Sequence, residues 1–113
     1  MSDKAQEDYN AKSDEELMEF YQMGNDLAFE ILFHRHSGRV FGFLSKRLTK
    51  KKDADDLLQD VFLKLHRSKH LYNNTLPFSP WLFSITRSVL LDSVKKKQLE
   101  DPTEPANFDL LQV

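Results

Sequence analysis

The chain has 113 residues, enough for one domain with tails, and no cysteine, which excludes disulfides, iron–sulfur clusters and thiolate zinc sites. Only 3 glycines and 4 prolines punctuate it, too few for a fold of many short strands, and its 30% charged residues suit water. The formal charge of −2 argues against a polyanion partner only until it is divided: residues 1–16 carry −4, residues 17–97 carry +6 and residues 98–113 carry −4, a basic body between acidic ends.

Residues 1–12 read as an acidic tail without the apolar stretch of a signal peptide. A first helix opens at Ser13, where Ser13 and Glu16 form a capping box, and stops near Gly24. A second begins after Asn25 or Asp26. Phe29, Phe33, Val40, Leu44 and Leu48 fall on one stripe of it, and Gly38 and Gly42 interrupt it as expected points of close helix approach. The third opens at Asp53, expected as its cap. It buries Leu57, Leu58, Val61, Phe62 and Leu65 and turns Asp56, Asp60, Lys64 and Arg67 outward. A polar loop, SKHLYNNTLPF, leads to a fourth helix capped by Ser79 with Pro80 in its first position. Leu82, Ile85 and Val89 form its buried stripe, Trp81, Ser84, Ser88 and Lys95 share another face, and Lys95, Lys96 and Lys97 suit its negative end. Residues 98–113 read as an acidic linker or tail in which Phe108, Leu110 and Leu111 could dock locally. The expected fold is all-α, a compact four-helix domain over residues 13–97.

The histidines invite a metal but lack the rest of a site. His34 and His36 point about 200° apart on one helix. His66 and His70 share a face, yet no third ligand or catalytic glutamate accompanies them. Surface or half-buried histidines are the expectation, with no metal and no cofactor. No phosphate loop and no nucleophile elbow is present, so neither an enzyme nor a small-molecule substrate is expected. No apolar run approaches the ~20 residues that cross a bilayer, and a cytoplasmic location without membrane contact is expected.

Two constellations carry a functional reading. The polar face of the third helix, Asp56, Gln59, Asp60, Lys64 and Arg67, reads either as capping and solvation or as a docking face for a partner helix. Around Trp81, the residues Tyr72, Asn73, Asn74, Thr75 and Phe78 precede Arg87 and the triple lysine. Rings stack on unpaired bases at about 1–3 kcal/mol each, amides read base edges, and lysines neutralise phosphates, which is what single-stranded DNA binding needs.

The run LAFEILFHRHSGRVFGFLSKRLTKKKDADDLLQDVFLKLHR resembles regions 2.1 and 2.2 of bacterial sigma factors, most closely the extracytoplasmic-function group. The run PFSPWLFSITRSVLLDSVKKK resembles regions 2.3 and 2.4, with Trp81, Leu82, Ile85, Arg87 and Asp92 on the family pattern. The resemblance spans about residues 13–97 and implies a helical region 2 domain with two macromolecular partners. The third helix would dock on the clamp helices of the polymerase β′ subunit through Asp56, Gln59 and Asp60, where Asp60 replaces the commoner glutamate. The loop and fourth helix would recognise and melt the promoter −10 element. Residues Tyr72 to Phe78 would form a pocket for a flipped base of the non-template strand, Trp81 and Arg87 would support that strand, and Lys95, Lys96 and Lys97 would hold phosphates. Ser88 stands where many relatives carry asparagine, and a hydroxyl cannot make the bidentate adenine contact of an amide. Region 4, which most such factors carry, is not in the chain, and the acidic tail resembles the linker that would lead to it. An anti-sigma factor is a further expected partner. A sigma-like decoy that binds an anti-sigma factor without DNA is the alternative, and the retained Trp81, Arg87 and lysines favour the DNA reader.

Overall fold

The computed structural model describes residues 8–100, so the expected docking of Phe108, Leu110 and Leu111 lies outside the described residues. Its helices are α1 (Asp14–Gln22), α2 (Asp26–Ser45), α3 (Lys51–Ser68), a 3-10 turn (Lys69–Leu71) and α4 (Phe78–Glu100), with no strand among the described residues. The all-α expectation holds.

The ends of α1 follow from the sequence. Ser13 Oγ accepts from the Glu16 amide at 3.1 Å, and Glu16 Oε1 accepts from the Ser13 amide at 2.9 Å. At its other end Gly24 sits at φ 100°. The Gly24 amide donates to Tyr21 O and the Asn25 amide to Phe20 O, a Schellman closure that favours glycine. Asn25 then caps α2 by accepting from the Ala28 amide at 3.1 Å.

Helix α2 departs from the expected stripe. Its buried residues are Ala28, Ile31, Leu32, His36, Val40 and Leu44, while Phe29 and Phe33 are half-buried on its flank and Leu48 lies beyond its end. Val40 and Leu44 are buried as expected, while in the first half of the helix the smaller Ala28 and Leu32, one position before each aromatic, fill the centre. A Cβ added at Gly38 or Gly42 meets nothing within 4 Å, so neither marks the close helix approach that was expected. His36 is 4% exposed, against the expectation of a surface or half-buried ring. It packs 5.2 Å from Phe78 at the start of α4, and its Nε2 lies 2.9 Å from Asp14 Oδ2 but out of line for a hydrogen bond.

Helix α3 begins two residues before Asp53, so Asp53 is not its cap. Lys50 takes that position with no side-chain bond. Asp53 sits instead in the first turn and pairs with Lys97 at 3.2 Å, joining the start of α3 to the end of α4. Leu57, Val61, Phe62 and Leu65 are buried and Leu58 is half-buried. Helix α4 starts at Phe78, one residue before the expected cap Ser79. Its first amide is satisfied by Glu15 Oε2 of α1 at 2.8 Å, a tertiary cap supplied from far along the chain. Leu82, Ile85 and Val89 are buried as expected. The helix continues through Gln98 and Leu99 to Glu100, past residue 97. Helices α1 and α2, α2 and α3, and α3 and α4 pack as neighbours, and α2 also meets α4, enclosing one core.

Candidate nucleic-acid and protein interfaces

The loop before α4 is held by α1. Gln22 Nε2 donates to Lys69 O at 2.8 Å and to Tyr72 O at 2.9 Å, clamping the backbone where the loop begins. Asn74 Nδ2 donates to Glu19 Oε2 at 2.7 Å. Within the loop, Asn73 Oδ1 accepts from the Thr75 amide at 3.0 Å and from Thr75 Oγ1 at 2.8 Å, an Asx turn. Asn73, Asn74 and Thr75 therefore stand exposed on a backbone fixed at both ends. Neither Gln22 nor Glu19 was singled out in the sequence. A lone amide or carboxylate on a helix gives no signal when its partners lie some fifty residues away.

The aromatic residues of that region divide. Tyr72 is 5% exposed and Phe78 is fully buried, so neither offers a face to a base in this conformation, contrary to the direct contacts expected of them. The Tyr72 ring lies 4.8 Å from Trp81 and 5.9 Å from Phe78, and its hydroxyl donates to Leu76 O. Burial, then the carboxylates of Glu15 and Asp14, push the Tyr72 phenol up, keeping it a donor. Trp81 is half-buried on top of this stack. The three rings pack together, and the polar loop that joins Tyr72 to Phe78 runs beside them.

Helix α4 turns Ser84, Arg87, Leu91 and Lys95 to solvent as one ridge. Ser84 Oγ donates to Trp81 O at 2.6 Å, and Lys97 is drawn to Asp53. Ser88, one turn after Ser84, lies at the edge of this ridge and is half-buried. Lys64 Nζ of α3 donates to Ser88 Oγ at 2.6 Å, so Ser88 and Lys64 bind each other across the helix pair, and neither points freely at a partner as was expected. Lys95 and Lys96 are exposed beyond them.

Helix α3 presents a second face. Asp56, Gln59, Asp60 and Arg67 are exposed together, and Leu63 stands among them with 46% of its surface in water. Leu63 was missed. Its spacing of four from Gln59 and seven from Asp56 puts it on the polar face, off the buried Leu57, Val61 and Leu65 stripe, and that register was the available signal. Beside it runs an apolar groove of about 570 Å³ lined by Phe29, Phe33, Phe62 and Leu63 with Tyr21 and His66. His66 Nδ1 is hydrogen-bonded to the Tyr21 hydroxyl. Among the described residues, no cluster of three or more metal-ligating side chains occurs, and no helix is long and apolar enough to cross a membrane.

The model of the family described as Sigma-70 region 2 matches residues 32–100. The RNA polymerase sigma factor CarQ of Myxococcus xanthus is 38% identical over 74% of the chain and 48% of its own length. The ECF RNA polymerase sigma factor SigM of Mycobacterium tuberculosis is 32% identical over 83% of the chain and 47% of its own length. The ECF RNA polymerase sigma-E factor of Haemophilus influenzae is 29% identical over 88% of the chain and 50% of its own length. The chain thus spans about half the length of the curated relatives it matches. No solved structure matches it significantly.

Proposed function

Because the chain belongs to the Sigma-70 region 2 family, we propose that it acts in transcription initiation by joining RNA polymerase to the promoter −10 element, without catalysis of its own. The α3 face, Asp56, Gln59, Asp60 and Arg67 around Leu63, docks on the β′ clamp helices. An exposed apolar residue ringed by charges combines a desolvating contact with an orienting rim. The loop and the α4 ridge take the non-template strand as it separates.

The observation that supports this best is the loop itself. Asn73, Asn74 and Thr75 are held exposed next to the packed rings of Tyr72, Phe78 and Trp81, immediately before a helix whose ridge carries Arg87 and Lys95. A fixed polar loop beside the half-exposed Trp81 ring can receive an unpaired base, and the cations that follow hold its phosphates. Extruding a base costs a few kcal/mol, and a pre-formed receptor offsets that without further ordering of the loop. Tyr72 and Phe78 serve as supports in this reading. Ser88, held by Lys64, takes no part in base readout.

The test is fluorescence anisotropy with labelled single strands and core polymerase. Binding of a −10 non-template strand is expected to exceed that of a scrambled strand and to weaken steeply with salt. Equal binding of the two strands in the presence of polymerase would refute the reading.

A further inference from the structure

A groove between α2 and α4 belongs to neither face above. It encloses about 570 Å³ and is lined by Arg39, Gly42, Phe43, Lys46, Arg47 and Phe83. Arg39 Nη2 donates to Ser79 Oγ at 3.4 Å, and the Phe43 and Phe83 rings meet edge to face with centres 5.6 Å apart. Both contacts join residues forty positions apart, so the two helices run parallel in register. Arg87 stands one turn beyond the lining residue Phe83 on α4 and is exposed.

The walls are cationic. The Arg39 guanidinium lies 5.4 Å from the Phe83 ring centre, and that of Arg47 lies 3.7 Å from the Phe43 ring centre. Ring faces beneath the guanidiniums fix their position. Among the described residues, no acid lines the groove and no carboxylate pairs with Arg39 or Lys46, and both are exposed. The neighbouring grooves differ: the one between α3 and α4 holds Asp60 and Asp92 beside its bases, and the one between α2 and α3 is apolar with Asp26 and Glu30 at its edge. Glycine at position 42 is the last clue. It disfavours the helix by about 1 kcal/mol relative to alanine, yet no neighbour would obstruct a Cβ there. What a side chain would occupy is the groove.

We propose that this groove binds the sugar–phosphate backbone of the single strand carried by α4, with Arg39 and Lys46 as its phosphate contacts. The half-buried rings, covered by cations, have no open face for a base, so the groove adds affinity without sequence preference. The inference rests on α4 as the strand-binding helix and extends the interface onto α2, where no motif placed it. Arg87, exposed one turn from Phe83 on the helix proposed to carry the strand, favours a nucleic-acid strand over an acidic protein segment.

The experiment measures anisotropy of labelled strands of about 16 nucleotides, one with the −10 element and one scrambled, against the full chain with core polymerase over a salt series. Arg39→Gln combined with Lys46→Gln should weaken both strands about tenfold at about 0.15 M salt and reduce the salt slope by about 1.4, leaving their ratio unchanged. Gly42→Leu should melt no earlier than wild type and still weaken both strands. Lys12→Gln, whose ammonium sits over Phe20 on the α1 side, should leave the slope unaltered. Unchanged affinity and slope in both groove variants would overturn the inference while the −10 reading stands. Groove-dependent binding without strand preference would uphold the groove and refute the −10 reading. Polyglutamate binding that the double variant loses, with strand binding intact, would assign the groove to an acidic protein and overturn the proposal. Failure of the wild-type chain to bind either strand would overturn both.

Discussion

At the residue level, Asp14 shows how much of the site's support lies outside any motif. Its carboxylate accepts from Arg35 Nη1 at 3.0 Å and lies 2.9 Å from the buried His36 ring, which packs beneath Phe78. It therefore links α1 and α2 under the first turn of α4. Burial pushes the carboxyl up, but the contacts and charges of His36 and Arg35 outweigh it and hold the group below its ordinary value of 3.8. A carboxyl lowered on folding stabilises the native state fully above its unfolded value, and that contribution is lost as pH falls through the folded value. Asp14→Asn should therefore be less stable by about 1–2 kcal/mol near neutral pH, with the difference vanishing in acid below the folded value. Urea denaturation across that pH range checks it, and a constant difference would contradict the assignment. Tyr72 and Ser88 teach the complementary lesson. Both residue types fit a DNA contact, but only three-dimensional packing reveals that one is buried among rings and the other is held by Lys64.

Among the elements, α1 and the type and order of the helices were legible because capping boxes, an N-capping asparagine and a C-terminal glycine act through local hydrogen bonds. What was not legible depended on distant partners. Glu15, two positions into α1, caps α4, and Gln22 at the end of α1 clamps the loop. The stripe of α2 held at Val40 and Leu44 but was misplaced in its first half, because large aromatics suggest burial, whereas here Phe29 and Phe33 line an open groove. Helix α3 separates its duties cleanly, with one side in the core and the other exposing Leu63 among charges. Leu63→Asp should leave thermal stability nearly unaltered, since nearly half of that side chain already meets water. It should weaken capture of core polymerase by at least about tenfold, or about 1.4 kcal/mol. A melting curve and a polymerase-binding titration on one preparation test both halves, and undiminished capture would remove α3 from the polymerase interface.

Across the whole molecule, the opening charge of −2 concealed the organisation. The +6 body is itself uneven once folded: α3 brings Asp56 and Asp60 to one face, while α2 and α4 gather Arg39, Lys46 and Arg87 along another. One small domain thus offers chemically distinct faces, as the proposed function requires. The family was readable from two ordered runs at fixed spacing, and the match over residues 32–100 agrees with it. The expected assignment of the third-helix face to polymerase and of the loop and fourth helix to DNA came from that same resemblance, whereas the α2–α4 groove was not readable, because it arises from helix packing and not from spacing along the chain. The most direct test of the central claim is selection of strands from a randomised single-stranded DNA pool by core polymerase carrying this chain. The account predicts a short enriched motif, absent from strands recovered by core polymerase alone and abolished when the loop amides are removed by Asn73→Ala with Asn74→Ala. Recovery of the same strand population with and without the chain would contradict it.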